Sequence, residues 1–159
     1  KVILSLLIAA LPSQAPAPPA AWKELLPLVG GTWRGTVGDM PVEIRYKLDE
    51  GAKSIQSSGT VGDRTKPMMR LAATLGIDPK TSEVFYFDNH NGNELFFGSV
   101  KKEETTLVFD FKSLTGTPGH WVTKVKVPIL DDYTSTMYGV GPDGKLTQQF
   151  EIKLHREKD

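Results

Sequence analysis

The stretch Leu28–Gly35 reads Leu-Val-Gly-Gly-Thr-Trp-Arg-Gly and marks the change from a helical pattern to a strand pattern. The residues before it carry apolar side chains spaced for about two helical turns, and the glycine pair ends that helix. After the glycines, Trp33 and Val37 alternate with Arg34 and Thr36, which is the period of a half-buried strand. A Gly-x-Trp at the start of the first strand, in a chain that continues as strands, indicates a small β-barrel.

The same alternation recurs to the end of the chain, broken by turn signals such as Asp49–Gly51, Asn91-Gly92 and Asp143-Gly144. About ten strands follow one another, and no connection is long enough for a crossover helix, so the sheet is predicted to be antiparallel and up-and-down. Closure into a barrel removes the open sheet edges. The fold class is therefore all-β, an antiparallel up-and-down barrel with a short N-terminal helix, and a two-sheet sandwich is the alternative.

One segment, Pro67–Leu75, has a second interpretation. Its Met, Arg, Leu and Ala residues favour a helix. We prefer a strand, because Gly76 and Asp78–Thr81 read as a turn directly before the next strand.

Composition excludes several classes of partner. The 159 residues suffice for one domain with a buried core. Nineteen basic residues balance nineteen acidic ones, so the basic excess of a nucleic-acid-binding protein is absent. Cysteine is also absent, which excludes disulfides, thiol nucleophiles and cysteine metal ligands.

The first residues have the pattern of a secretory signal peptide. Lys1 precedes the apolar run Val2–Leu11, and a proline- and alanine-rich region with a candidate Ala15-Pro16-Ala17 cleavage site extends to Ala21. The apolar run is about half the roughly 20 residues needed to cross a bilayer, so no permanent membrane span is expected. We predict a leader in residues 1–21, a barrel domain in residues 22–159, and a secreted or periplasmic protein.

Catalytic and metal-binding patterns are weak. The chain has no Gly-x-Ser-x-Gly elbow, and His90, His120 and His155 lie apart without metal-ligand spacing, so no metal or cofactor is predicted. Asp88 and His90 lie near a predicted hairpin tip, where turn chemistry is sufficient to explain them. An enzyme that uses Asp88, His90 or Tyr86 is the last of three hypotheses, and we expect no catalytic residue.

The predicted interior carries the positive signal. Bulky apolar side chains alternate there with small ones, and a few polar groups converge on them, which together describe a ligand pocket. The predicted binding residues are Tyr46, Tyr86, Phe97, Phe109, Trp121, Met137 and Gln148. The first hypothesis is a monomeric or dimeric protein that binds a small apolar molecule. The second is an interaction module of the cell envelope with a filled barrel.

With its strands placed, the chain resembles the calycin superfamily, which contains the lipocalins and fatty-acid-binding proteins. The resemblance rests on Gly31-Thr32-Trp33 at the first strand and Arg156 at the end of the last. It extends over Leu25–Arg156 to uncharacterised bacterial exported proteins of lipocalin-like type, which share the leader helix and the turn Gly76–Pro79.

The resemblance implies that Arg156 packs across Trp33 by a cation–π contact and closes one end of the barrel, with a ligand site at the other end. Two features depart from the superfamily. Fatty-acid-binding proteins insert a helical lid between the first two strands, where this chain has only Gly38–Pro41. Haem-binding barrels hold a histidine inside the barrel near the C-terminal end, whereas His155 alternates with the inward-facing residues and is predicted to face outward.

Overall fold

The computed structural model describes residues 17–158 as one β-barrel preceded by a short helix. Helix α1 spans Ala20–Leu25 and continues into a 3₁₀ turn at Leu26–Leu28. The strands are β1 (Thr32–Val37), β2 (Met40–Leu48), β3 (Ser54–Gly62), β4 (Pro67–Ile77), β5 (Val84–His90), β6 (Glu94–Glu103), β7 (Thr106–Ser113), β8 (His120–Lys126), β9 (Asp132–Val140) and β10 (Leu146–Glu157).

The ten strands form a closed antiparallel barrel in which each strand pairs with its neighbours in sequence. Strand β1 closes the barrel against β10, in a register that runs from Thr32 opposite Glu157 to Thr36 opposite Lys153. The predicted fold class is confirmed, and the two-sheet sandwich is wrong. Pro67–Ile77 is a strand, so the helical alternative for this segment is wrong as well.

The connections divide the barrel into two ends. We call the end that receives helix α1 and the connections β2–β3, β4–β5, β6–β7 and β8–β9 the floor, and the opposite end the rim. Most of the signal-peptide prediction, residues 1–16, lies outside the described residues. Among residues 17–158, no helix is long and apolar enough to cross a membrane.

Helix α1 and the 3₁₀ turn that follows it pack on the floor through their apolar side chains. Trp22, Leu25 and Leu28 are buried, and Leu25 is fully shielded from solvent. An isolated six-residue helix is unstable in water, so this burial holds α1 in place. Glu24 adds an ion pair with Lys102 near the end of β6.

The pair Gly30-Gly31 turns the chain from the 3₁₀ turn into β1. Gly30 and Gly31 have φ values of +90° and +69°, in the left-handed region that side chains disfavour. A Cβ atom at Gly31 would lie 2.6 Å from the backbone oxygen of Glu157. The tight turn brings Leu28 back over the barrel end, where its carbonyl accepts a 2.8 Å hydrogen bond from the indole nitrogen of Trp33.

Candidate functional site

The barrel encloses a cavity of about 510 Å³. Leu28, Leu107 and Ile129 line its floor and are almost completely buried. Met68 and Phe150, which lie toward the rim ends of β4 and β10, also line the cavity but are 63% and 38% exposed. The cavity therefore opens at the rim, and its volume is typical of sites for small molecules.

Trp33 and Arg156 close the floor. The guanidinium carbon of Arg156 lies 4.5 Å from the centre of the Trp33 ring, so the cation–π contact predicted for this pair is present. Arg156 also donates hydrogen bonds to the carbonyl oxygens of Pro27 and, at 3.1 Å, Leu130. The edge of Trp33 packs against Tyr133 at a centroid distance of 4.8 Å. These contacts connect the 3₁₀ turn after α1 with β1, β9 and β10 at the floor of the barrel.

The cavity wall is mostly apolar, with an aromatic cluster on one side. Phe96 meets Trp121 edge to face at 5.5 Å, and Tyr86 meets Phe109 and Phe111 at 5.5 and 5.3 Å. Such contacts hold the rings in fixed orientations. Aliphatic and methionine side chains complete the wall; they include Val37, Met40, Ile44, Val61, Met69, Leu71, Leu75, Val125, Met137, Ile152 and Leu154.

A chain of polar side chains lies on this apolar wall. Asp88, which is 7% exposed, faces inward from β5 between Ala73 of β4 and Phe96 of β6. Its Oδ2 accepts hydrogen bonds from the Tyr86 hydroxyl at 2.6 Å and the His90 Nε2 at 3.0 Å. Its Oδ1 accepts a 2.8 Å bond from the backbone N–H of the next residue. Three donors therefore stabilise a carboxylate that is shielded from water.

A tyrosine pair lies on the same wall. The hydroxyls of Tyr46 and Tyr133 are 3.1 Å apart, so one donates to the other and one phenolic hydrogen is left over. Burial is the main reason that the pKa of Tyr46 is raised to about 12, and the charge of Asp88 adds to the shift. Burial and the same carboxylate hold the pKa of Tyr86 well above its usual value. Both phenols are therefore neutral in the physiological range.

Most of the predicted binding residues lie on this wall. The structure brings together Tyr46, Tyr86, Phe109, Trp121 and Met137 around the cavity. The remaining two, Phe97 and Gln148, are not among them, and each departure has an identifiable cause in strand register.

The predicted inward orientation of Phe97 is wrong. Its side chain is 49% exposed on the outer face, and Phe96 takes the inward position. A two-residue turn at Asn91-Gly92 would pair Tyr86 with Phe97. The loop instead has three residues, because His90 pairs with Glu94. The extra residue shifts β6 by one position and exchanges the faces of its two phenylalanines.

The predicted inward orientation of Gln148 is also wrong, because β10 contains a bulge. The register passes from Gln148 opposite Tyr138 to Phe150 opposite Met137, so Gln149 is the extra residue. Phe150, Ile152 and the residues beyond keep the predicted inward phase. Gln148 lies before the bulge, on the opposite phase, and is exposed.

Three polar residues that line the cavity, Asp88, His90 and Tyr133, are absent from the predicted ligand-binding set, although Asp88 and His90 appeared in the enzyme hypothesis. The hairpin tip was predicted to begin near Asp88, but β5 continues to His90, and both side chains line the cavity. The signal was present in the phase of β5, since both residues share the alternation of inward-facing Tyr86. Turn chemistry explains only Asn91 and Gly92, whose φ values are +53° and +80°. It does not account for Asp88 and His90.

The ionisable groups on the wall are few. Among the described residues that line the cavity, Asp88 and His90 are the charged or chargeable side chains apart from the tyrosines, and lysine and arginine are absent. Within residues 17–158 no group of three or more His, Asp or Glu side chains is placed to hold a metal ion. His155 and His120 lie on the outer face, paired with Asp132 and Asp110.

Comparison with known proteins identifies the fold. The crystal structure of Rv2717c from M. tuberculosis is similar, with a TM-score of 0.59 over 89% of this chain and 100% of that chain. The two sequences are 13% identical, so the likeness concerns the fold alone. A scan against protein-family models found no match, and a search of curated proteins found none either.

Proposed function

We propose that this protein is a lipocalin-like barrel of the calycin superfamily that binds a small, mostly apolar molecule in its interior. The observation that carries the proposal is the rim-open cavity of about 510 Å³, with apolar walls and a compact set of polar groups. Transfer of apolar ligand surface from water into such a cavity contributes roughly 25 cal/mol per Å². The polar groups would orient one end of the ligand.

The neighbouring alanines of β4 offer a matched test of binding inside the barrel. Ala73 lines the cavity between Ser57 and Asp88, whereas Ala72 is exposed on the outer face. Ala73→Phe would fill the centre of the cavity, and Ala72→Phe adds the same ring outside. The ligand probe is Nile red, an uncharged apolar dye that fluoresces when it leaves water.

We expect wild type and Ala72→Phe to bind Nile red equally. Ala73→Phe is expected to bind roughly 5- to 150-fold more weakly, because its ring occupies the cavity and the overpacking caused by a bound dye costs about 1–3 kcal/mol. Circular dichroism and thermal melting establish that both variants are folded. Organic extraction of the wild-type protein, followed by mass spectrometry, would then identify a natural ligand. A folded Ala73→Phe variant with wild-type affinity would show that the dye binds elsewhere and would contradict the proposal.

Two alternatives are less well supported. The open cavity counts against a filled barrel that acts only through its outer surface. A catalytic function would use His90 as a base oriented by Asp88, an arrangement found in hydrolases. Within residues 17–158, however, the structure shows no hydroxyl or thiol hydrogen-bonded to His90 that could serve as the nucleophile.

We also propose that the protein is exported and binds its ligand in the periplasm or outside the cell. The support is the order of a charged start, an apolar run and a small-residue region in residues 1–21. This part of the proposal is independent of the cavity.

A further inference from the structure

The polar groups of the cavity define the chemistry of the ligand more narrowly than its apolar wall does. Asp88 accepts three hydrogen bonds and is 7% exposed, so it is a fixed acceptor and not a mobile surface charge. Tyr86 and His90 both direct their hydrogen-bond donors at this carboxylate. Those two donors are therefore already engaged and are not free for an anionic ligand.

Apart from His90, no described residue of the wall can carry a positive charge. With Asp88 ionised, the summed charge of the lining residues is −1 when His90 is neutral and zero when His90 is protonated. Arginine and lysine are absent from the described residues that line the cavity. The arginines nearest in sequence to the wall residues of β1 and β2 face outward, where Arg34 pairs with Glu43. A carboxylate ligand would thus lose its hydration without meeting a lysine or arginine, in a wall that already carries the Asp88 carboxylate.

The polar atoms of the described wall that have no hydrogen-bond partner yet can bind the polar end of a ligand if that end is uncharged or cationic. The Tyr46–Tyr133 pair retains one phenolic hydrogen and unused oxygen lone pairs. The His90 ring, which lines the cavity, makes one side-chain hydrogen bond among residues 17–158, through Nε2, and Nδ1 is the remaining ring nitrogen. In the neutral tautomer that donates to Asp88, Nδ1 is an acceptor.

We infer that the cavity selects amphiphiles whose polar end is an uncharged or cationic hydrogen-bond donor, such as an alcohol or a protonated amine, and rejects carboxylates of the same chain length. This inference rests on the proposed function and specifies the ligand class of the same site. Asp88 is the residue that sets the selectivity, because it carries the fixed negative charge of the wall. The apolar tail would lie among Phe96, Phe109 and Trp121.

The test uses three ligands that share one alkyl chain: decanol, decylamine and decanoate. Binding to the full chain is measured by isothermal titration calorimetry at neutral pH and by displacement of Nile red. We expect decanol and decylamine to bind and decanoate to bind at least about tenfold more weakly, since like charges repel strongly in a partly dry cavity. Asp88→Asn keeps the shape but removes the charge. This variant is expected to show a smaller difference in affinity between decanol and decanoate and a lower affinity for decylamine than wild type.

Asp110→Asn is the matched control. Asp110 binds His120 at 2.7 Å on the outer face, so the same change there removes an Asp–His pair outside the cavity. It is expected to leave all three affinities unchanged. Decanoate that binds wild type as tightly as decanol would overturn the inference and leave the proposed function in place. The same holds if Asp88→Asn leaves the ranking unaltered. Failure of all three ligands and of Nile red to bind would overturn the proposed function together with the inference.

Discussion

Replacement of Arg156 by Met tests whether the floor is a structural closure. Methionine retains a flexible apolar stem over Trp33 but loses the guanidinium. The lost interactions are the hydrogen bonds to the carbonyls of Pro27 and Leu130, the cation–π contact at 4.5 Å and a 3.7 Å ion pair with the half-exposed Asp131. The side chain is only 16% exposed, so water compensates poorly for these losses.

The expected magnitude follows from these contacts. A hydrogen bond from a charged donor contributes about 1.5–3 kcal/mol, and a cation–π contact about 0.5–2 kcal/mol. Because these interactions share one guanidinium group, the ion pair is partly exposed and the carbonyls at the barrel end can regain some hydration, the total is smaller than the sum of the separate values. We expect the free energy of unfolding to fall by about 2–4 kcal/mol, which lowers Tm by about 5–12 °C in a domain of this size.

The assay is urea unfolding followed by tryptophan fluorescence, with Nile red binding measured in parallel. Arg64→Met is the control, since Arg64 is 59% exposed and its ion pair with Glu43 on the outer surface should contribute less than about 1 kcal/mol. Arg156 does not line the cavity, so the affinity of folded Arg156→Met for Nile red should equal that of wild type. A loss of stability no larger than that of Arg64→Met would refute the structural role of the floor contact.

Two further predictions concern tyrosine ionisation and export. The pKa of Tyr46 is raised to about 12 and those of Tyr86 and Tyr133 lie well above their usual values, so the folded state retains these protons more tightly than the unfolded state. The contribution of these tyrosines to the free energy of unfolding should then be constant below about pH 10 and fall by roughly 1.4 kcal/mol per pH unit and per tyrosine above it. Urea titrations should show this fall, and Tyr46→Phe should reduce its slope; an unchanged free energy up to about pH 11 would contradict the burial of these phenols. A reporter enzyme fused behind residues 1–21 should be exported from the bacterial cytoplasm, and the fused segment should be cleaved off. A fusion that stays uncleaved in the cytoplasm would disprove export.

Local patterns in the sequence were sufficient for the strands and their order. The alternation from Trp33 to Val37 falls within β1, and the turn signals at Asp49–Gly51, Asn91-Gly92 and Asp143-Gly144 fall between strands, because alternation and turn chemistry depend on close neighbours along the chain. The contact of Trp33 with Arg156 came from a resemblance and is present in the structure. The short connections left only an antiparallel meander, and closure followed from the open edges that it would otherwise expose.

The faces of β6 and β10 could not be predicted in the same way. Leu95, Phe96 and Phe97 are all apolar, so alternation alone does not distinguish the inward residue. One additional loop residue before β6 exchanges the inward and outward faces of that strand. The bulge at Gln149 does the same for the residues of β10 that precede it. Register is decided by pairing between strands, which a pattern within one strand does not contain.

The sequence by itself determined the all-β class, the up-and-down strand order and the positions of most turns, since these depend on side-chain alternation and local backbone preferences. Only the tertiary structure decided that β5 continues to His90 and that Tyr86, Asp88 and His90 share one hydrogen-bonded chain inside the barrel. It also brought the hydroxyls of Tyr46 and Tyr133, 87 positions apart in the sequence, to 3.1 Å from each other inside the barrel. Contacts of this kind arise from barrel closure and strand register, because closure brings together side chains that no local pattern relates.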